Sequence, residues 1–148
     1  MIARLPTTTP SSFGYFRSAA MASTIDRLLA EQAFDLVFVH CSSVARYVEH
    51  ARGVPKILDF GDMDSQKWLE YGTFKPWPAH LGYRLEGLKL VAEEKRLARS
   101  FDVCTATTRA EWATLEGYAT GAATDWFPNG VDSEYFAPDD TAYETDTL

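Results

Sequence analysis

An α/β fold built on a parallel sheet is what three features of this 148-residue chain predict. Short apolar, β-rich runs alternate with helix-period segments along most of its length, the pattern of strands joined by right-handed helical crossovers. The first of these runs shows no polar/apolar alternation, as in a strand covered on both faces. Polar residues collect just after the runs, at the strand ends where open α/β sheets bind ligands.

The elements follow in order. Residues 1–16 have no periodicity and are expected to be irregular. Met21, Ile25, Leu28 and Leu29 recur at helical spacing and predict a helix over about 17–33. Leu36-Val37-Phe38-Val39 is the first strand. Ser42-Ser43 can cap a helix carrying Val44, Tyr47, Val48 and Ala51, which Gly53 stops. A second strand runs from Pro55 to Phe60. Residues 61–79 form a long connection rich in Asp, Gly, Pro and aromatics, with one helical turn near Ser65–Tyr71. A loop of that length in a compact domain is usually functional.

A long helix over about 80–100 places Leu81, Leu85, Leu88 and Ala92 on one stripe, with Glu86–Lys89 and Glu93–Arg96 at i,i+3. Phe101–Ala106 is a third strand. Thr108-Arg109-Ala110-Glu111 fits a capping box, with Gly117 past the end of its helix. A fourth strand lies near 124–127. Pro128 and Asn129-Gly130 then punctuate a turn. The tail over 137–148 is acidic and without periodicity.

Bulk properties exclude several functions. A hydrophobic fraction of 46% with 4 Trp, 7 Tyr and 9 Phe argues for a packed core rather than disorder. A net charge of −7 disfavours a nucleic-acid partner or an electrostatic grip on anionic lipid. No run approaches the ~20 apolar residues of a transmembrane helix, and no signal-peptide core is visible. Cys41 and Cys104 lack metal or redox spacing and read as reduced thiols in a cytoplasmic protein.

The densest chemistry is Asp59-Phe60-Gly61-Asp62-Met63-Asp64-Ser65 with Lys67 and Trp68. Carboxylates at a strand end, with a glycine for close approach, can hold Mg²⁺ or accept a proton. One metal reading is the haloacid-dehalogenase phosphatase pattern, but Gln66 stands where that pattern wants Thr or Val. Another is the Asp-x-Asp of metal-dependent sugar transfer, spelled by Asp62-Met63-Asp64. The plain alternative is that these residues cap the loop and the turn after it. Trp68, Tyr71, Phe74 and Trp77 make either a sugar or lipid contact surface or, the preferred reading, rings folded back into the core. His40, His50 and His80 share no metal-site spacing, and His40, at a strand end, is expected to bond locally.

Several stretches resemble one family in the same order: Phe34–Val39 with Cys41–Tyr47, Gly53–Trp68, Tyr83–Gly87, Phe101-Asp102, Glu111, and Asn129-Gly130-Val131-Asp132 to Phe136. Together they are similar to the family 4 glycosyltransferases, in the group associated with PEP-CTERM/exosortase exopolysaccharide clusters. The resemblance spans about 16–138. It implies the Rossmann-like acceptor-side domain of a GT-B enzyme over 17–136, incomplete because the opening strands should precede residue 1. The donor domain should follow residue 138, making the chain a fragment inactive by itself.

The implied reaction moves a sugar, with retention, from a nucleotide-sugar donor to a polysaccharide or lipid-linked acceptor. It needs no metal and no cofactor bound by this chain. Asp62 is the implied catalytic candidate; Asp64, Ser65, Lys67, Trp68, Ser42 and Ser43 the acceptor contacts; Asn129, Gly130 and Asp132 the interdomain hinge. The implied location is cytoplasmic, peripheral at the inner membrane face. A sheet cut at its middle leaves the Leu36–Val39 strand as an apolar edge open to self-association. A free-standing non-catalytic binding module is the competing expectation, and a Mg-dependent phosphatase the lesser one.

Overall fold

The computed structural model describes residues 8–137. In chain order the elements are α1 (Ser11–Tyr15), α2 (Ala19–Glu31), β1 (Val37–His40), α3 (Ser42–Ala45), β2 (Lys56–Asp59), α4 (Asp64–Thr73), α5 (Ala79–Ala98), β3 (Val103–Ala106), α6 (Arg109–Glu116) and β4 (Ala123–Trp126). The four strands form one parallel sheet in the order β1-β2-β3-β4, flanked by helices, an α/β Rossmann-like arrangement.

A strand order that always steps the same way, with right-handed crossovers, puts the connecting helices on one face. Burial across the sheet agrees. Val39, Leu58 and Cys104 pair in register and are 7%, 0% and 0% exposed, packed in one cluster with Leu90, Leu97 and Ala98 of α5 and Leu115 of α6. One residue back, the row Phe38–Ile57–Val103–Ala123 points to the other side. There Phe38 is 54% exposed, Ile57 and Val103 are half-buried and Ala123 is exposed. The expectation that β1 is covered on both faces therefore fails. Its continuous apolar run marks an edge strand with one open face, and Leu36 beside it is also exposed.

Residues 11–15 are not irregular. One helical turn is too short to show a period, and α1 is held by tertiary contacts instead. Phe13 is fully buried in the core with the Arg46 guanidinium 5.3 Å from its ring centre. The Ser11 backbone N–H and hydroxyl both donate to the Glu86 carboxylate of α5. After it, α2 is capped by Ser18, whose hydroxyl accepts from the Met21 N–H, yet no residue of α2 is buried. The Tyr47 hydroxyl fastens the α2 entry by accepting from the Ser18 N–H and donating to the Phe16 carbonyl, each at 2.6 Å.

The connection read as a long loop with one helical turn is a ten-residue helix, α4, packed as a hairpin on α5. The leucine stripe read as the core face of α5 lies outside: Leu81, Leu85 and Leu88 are each about half exposed. The buried face carries Glu86, Gly87, Leu90, Glu94, Leu97 and Ala98 instead. A hydrophobic stripe could not disclose this, because the two buried glutamates are satisfied by partners far away in sequence. The aromatic residues also depart from expectation. Trp68 stacks against Tyr83 at 5.1 Å, but Tyr71, Phe74 and Trp77 are 52%, 77% and 80% exposed. The predicted helix from Ser42 toward Ala51 ends after one turn at Ala45.

Close approach of α4 and α5 depends on Gly87, where an added Cβ would lie 2.7 Å from Leu69 Cγ and 3.2 Å from the Leu69 backbone nitrogen. Alanine raises intrinsic helix propensity by about 1 kcal/mol. Gly87→Ala is nevertheless expected to destabilise the fold by about 1–3 kcal/mol, because the hairpin must splay. A urea midpoint at or above that of the wild type would show that the helices can separate freely.

Candidate functional site

The carboxyl ends of the strands converge on a cleft of about 280 Å³ lined by His40, Cys41, Phe60, Gly61, Asp62, Asp64, Lys67, Thr107 and Asn129. Its walls come from the ends of β1, β2 and β3, the start of α4 and the segment after β4. This is where a parallel sheet is expected to place a ligand.

The floor is built by register. His40, Asp59 and Thr105 stand abreast on neighbouring strands. Asp59 is 4% exposed, and its carboxylate accepts from His40 Nδ1 at 2.7 Å, Thr105 Oγ1 at 2.9 Å and the Gly61 N–H at 3.3 Å. The His40 side chain itself remains 67% exposed. Local backbone conformation serves this packing. Gly61 has φ +64°, and a Cβ there would press on the His40 ring at 3.2 Å. Cys41 holds φ +85° although it has a Cβ, a conformation costing about 1–3 kcal/mol. Its N–H donates to the Asp59 carbonyl at 2.8 Å.

The loop over 61–63 is tied to the third strand rather than left free. Thr107 donates from its N–H and its hydroxyl to the Gly61 carbonyl at 3.1 and 3.2 Å. Glu111 accepts from the Met63 N–H at 3.1 Å and from the Thr108 hydroxyl at 2.8 Å, and Thr107 Oγ1, 3.1 Å away, shares its one proton between this carboxylate and the Gly61 carbonyl. Half of the predicted capping box is present: Thr108 Oγ1 accepts from the Glu111 N–H at 3.2 Å, while the Glu111 carboxylate bonds the Thr108 hydroxyl rather than the Thr108 N–H. Thr108 thus caps α6, and the Glu111 carboxylate holds that cap while bracing the cleft.

At the rim, the Lys67 ammonium lies 3.3 Å from Asp62 and 3.6 Å from Asp64. Partial burial works against its charge, but the hydrogen bond it donates to Asp62 and the charges of Asp64 and Asp62 outweigh that and raise its pKa. A divalent cation bound by Asp62 and Asp64 has to displace this ammonium. Among the described residues, no cluster of three His, Cys, Asp or Glu side chains has metal-binding geometry.

The predicted contacts separate into two groups. Asp62, Asp64, Lys67 and Asn129 line the cleft. Ser65, Ser42 and Ser43 are 0%, 3% and 4% exposed. Ser65 donates both its N–H and its hydroxyl to the buried Glu94 carboxylate, at 2.9 and 2.6 Å, leaving no surface for a ligand. Trp68 packs against the core beside Tyr83. Gly130 is exposed, and Asp132 closes a local turn by accepting from the Glu134 and Tyr135 N–H groups at 3.1 and 2.9 Å. Pro138 and the rest of the tail lie outside the described residues.

His40 and Glu111 are the site residues that sequence reasoning did not assign to the cleft, and the pairing of Asp59 with His40 was not foreseen. His40 does bond locally, as expected, but its partner is a buried carboxylate on the next strand. The available signal was that His40 and Asp59 each close an apolar run, so parallel pairing sets them side by side. No helix among the described residues is long and apolar enough to cross a membrane. No family model, curated protein or solved structure matches this chain.

Proposed function

We propose that the chain is the acceptor-side lobe of a GT-B glycosyltransferase, and that its cleft holds a saccharide while a second lobe presents the nucleotide sugar. The observation that carries this reading is the lining of the cleft. The Lys67 ammonium, 3.3 and 3.6 Å from the Asp62 and Asp64 carboxylates, shares the lining with the Asn129 amide, and together they offer both donors and acceptors. Vicinal hydroxyl groups, each both donor and acceptor, suit such a surface. The acidic pair disfavours a free phosphoryl group there. Asn129 supports the two-lobed reading further, since the segment expected to lead toward the second lobe borders the same cleft.

In this reading Asp62 and Asp64 accept hydrogen bonds from acceptor hydroxyls, and the Lys67 ammonium bridges the two carboxylates. Departure of the nucleotide diphosphate is stabilised by groups of the other lobe. The pure chain is therefore expected to give no transfer from UDP- or GDP-sugars to any saccharide. It is expected to show saccharide-dependent shifts of the Gly61, Asp62 and Asn129 amides by NMR. Sugar transfer by the chain alone would overturn the proposal, as would Mg²⁺-dependent hydrolysis of an aryl phosphate that Asp62→Asn abolishes. A stable monomer that binds a non-saccharide ligand in calorimetry would favour a free-standing binding module.

A further inference from the structure

We infer that His40 contacts the ligand in this cleft, its Nε2 accepting a hydrogen bond from a hydroxyl of a neutral saccharide, and that Asp59 is its positioning residue. The inference rests on the saccharide reading above and adds to it the group that orients the sugar.

A carboxylate facing Nδ1 at 2.7 Å accepts, so Nδ1 carries a proton, and in the neutral form of the ring it is Nε2 that accepts. Asp59 cannot swing away: it is 4% exposed and also takes bonds from Thr105 and the Gly61 N–H. The ring is held on a second side by Gly61, whose missing Cβ leaves room for Cε1. Nε2 has no partner among the described residues, and the side chain is 67% exposed in the cleft.

A surface histidine needs no buried carboxylate to stay folded, whereas a ring that must present one nitrogen in one tautomer does. The ligand class follows from the neighbours. Asp62 and Asp64 repel an anion, Lys67 already neutralises part of their charge, and a neutral hydroxyl remains the group that Nε2 can accept from.

The test uses the full chain with nitrogen-15-labelled histidine and a panel of neutral disaccharides (maltose, cellobiose, sucrose and lactose) as probes. Long-range proton–nitrogen spectra are expected to show His40 in the Nδ1–H tautomer, with Nε2 moving on addition of at least one probe. His40→Gln, at an exposed side chain, is expected to weaken that binding about three- to tenfold, the worth of one hydrogen bond. Asp59→Asn is expected to mix the two tautomers and weaken binding similarly while the His40→Gln fold stays intact.

A free chain at pH 7 in the Nε2–H tautomer, or with both ring nitrogens protonated, overturns the inference. So does an unmoved Nε2 while the Gly61, Asp62 and Asn129 amides respond, and in that case the saccharide reading survives without His40. No response at any cleft resonance to any probe removes the inference together with the reading beneath it.

Discussion

Replacing Phe13 with alanine is expected to cost about 3–5 kcal/mol, the range for emptying a fully buried aromatic site. Against a typical total of about 5–15 kcal/mol for a domain, that is enough to populate unfolded chain at moderate urea. The reason is position. Phe13 is 0% exposed in the same cluster as Val39, Leu58 and Leu97, so the five-residue α1 is part of the core rather than an appendage. Losing the ring also removes the cation–π partner of Arg46. It loosens the turn that lets Ser11 donate to Glu86, a carboxylate 2% exposed whose bonds come partly from this segment. Urea unfolding followed by tryptophan fluorescence checks it. A loss below about 1 kcal/mol would mean that the pocket collapses and α1 is dispensable.

Those same residues show where sequence reading works and where it stops. The four strands were legible because each is a short β-rich run bounded by polar or glycine punctuation, and parallel order followed from the helices between them. Strand ends then located the cleft, and Asp62, Asp64, Lys67 and Asn129 with it. Three errors share one cause, which is that periodicity reports hydrophobicity and not which face is covered. Leu81, Leu85 and Leu88 make a clean stripe yet lie outside, while Glu86 and Glu94 occupy the inner face. Phe38 belongs to an unbroken apolar run and still meets solvent. Phe74 and Trp77, expected inside, stand at the turn between α4 and α5. The His40–Asp59–Thr105 row was hidden for a different reason. It spans residues far apart in sequence, and only strand register brings them into contact.

Glu94 is expected to show the second large effect, and its sign depends on pH. The side chain is 0% exposed and accepts from the Ser65 N–H at 2.9 Å, the Ser65 hydroxyl at 2.6 Å and the Tyr118 hydroxyl at 2.7 Å. Burial raises its pKa, against the lowering effect of those bonds. Burial, joined by the Glu94 charge, likewise raises the Tyr118 phenol and keeps it a donor. Glu94→Ala strands three donors in the interior and is expected to cost about 3–5 kcal/mol, at about 1–3 for each unsatisfied group with partial relief from water. Glu94→Gln keeps the shape and an acceptor oxygen, and its amide can donate to either hydroxyl, so it should fold.

Because the folded state holds the Glu94 proton to higher pH than the unfolded state does, this group favours folding below its ordinary value of 4.5. That contribution is lost as pH rises from 4.5 through the raised folded value. Glu93 works in the opposite direction. Its bond from Arg96 leads the causes that lower its pKa, so its contribution is lost on acidification. The difference between wild type and Glu94→Gln isolates one from the other. The glutamine variant should gain stability relative to wild type as pH climbs above 4.5, and the gap should close in acid. A gap that is constant from pH 4 to pH 8 would mean that Glu94 titrates alike in the two states and that its three donors stabilise the ionised form as well as water does.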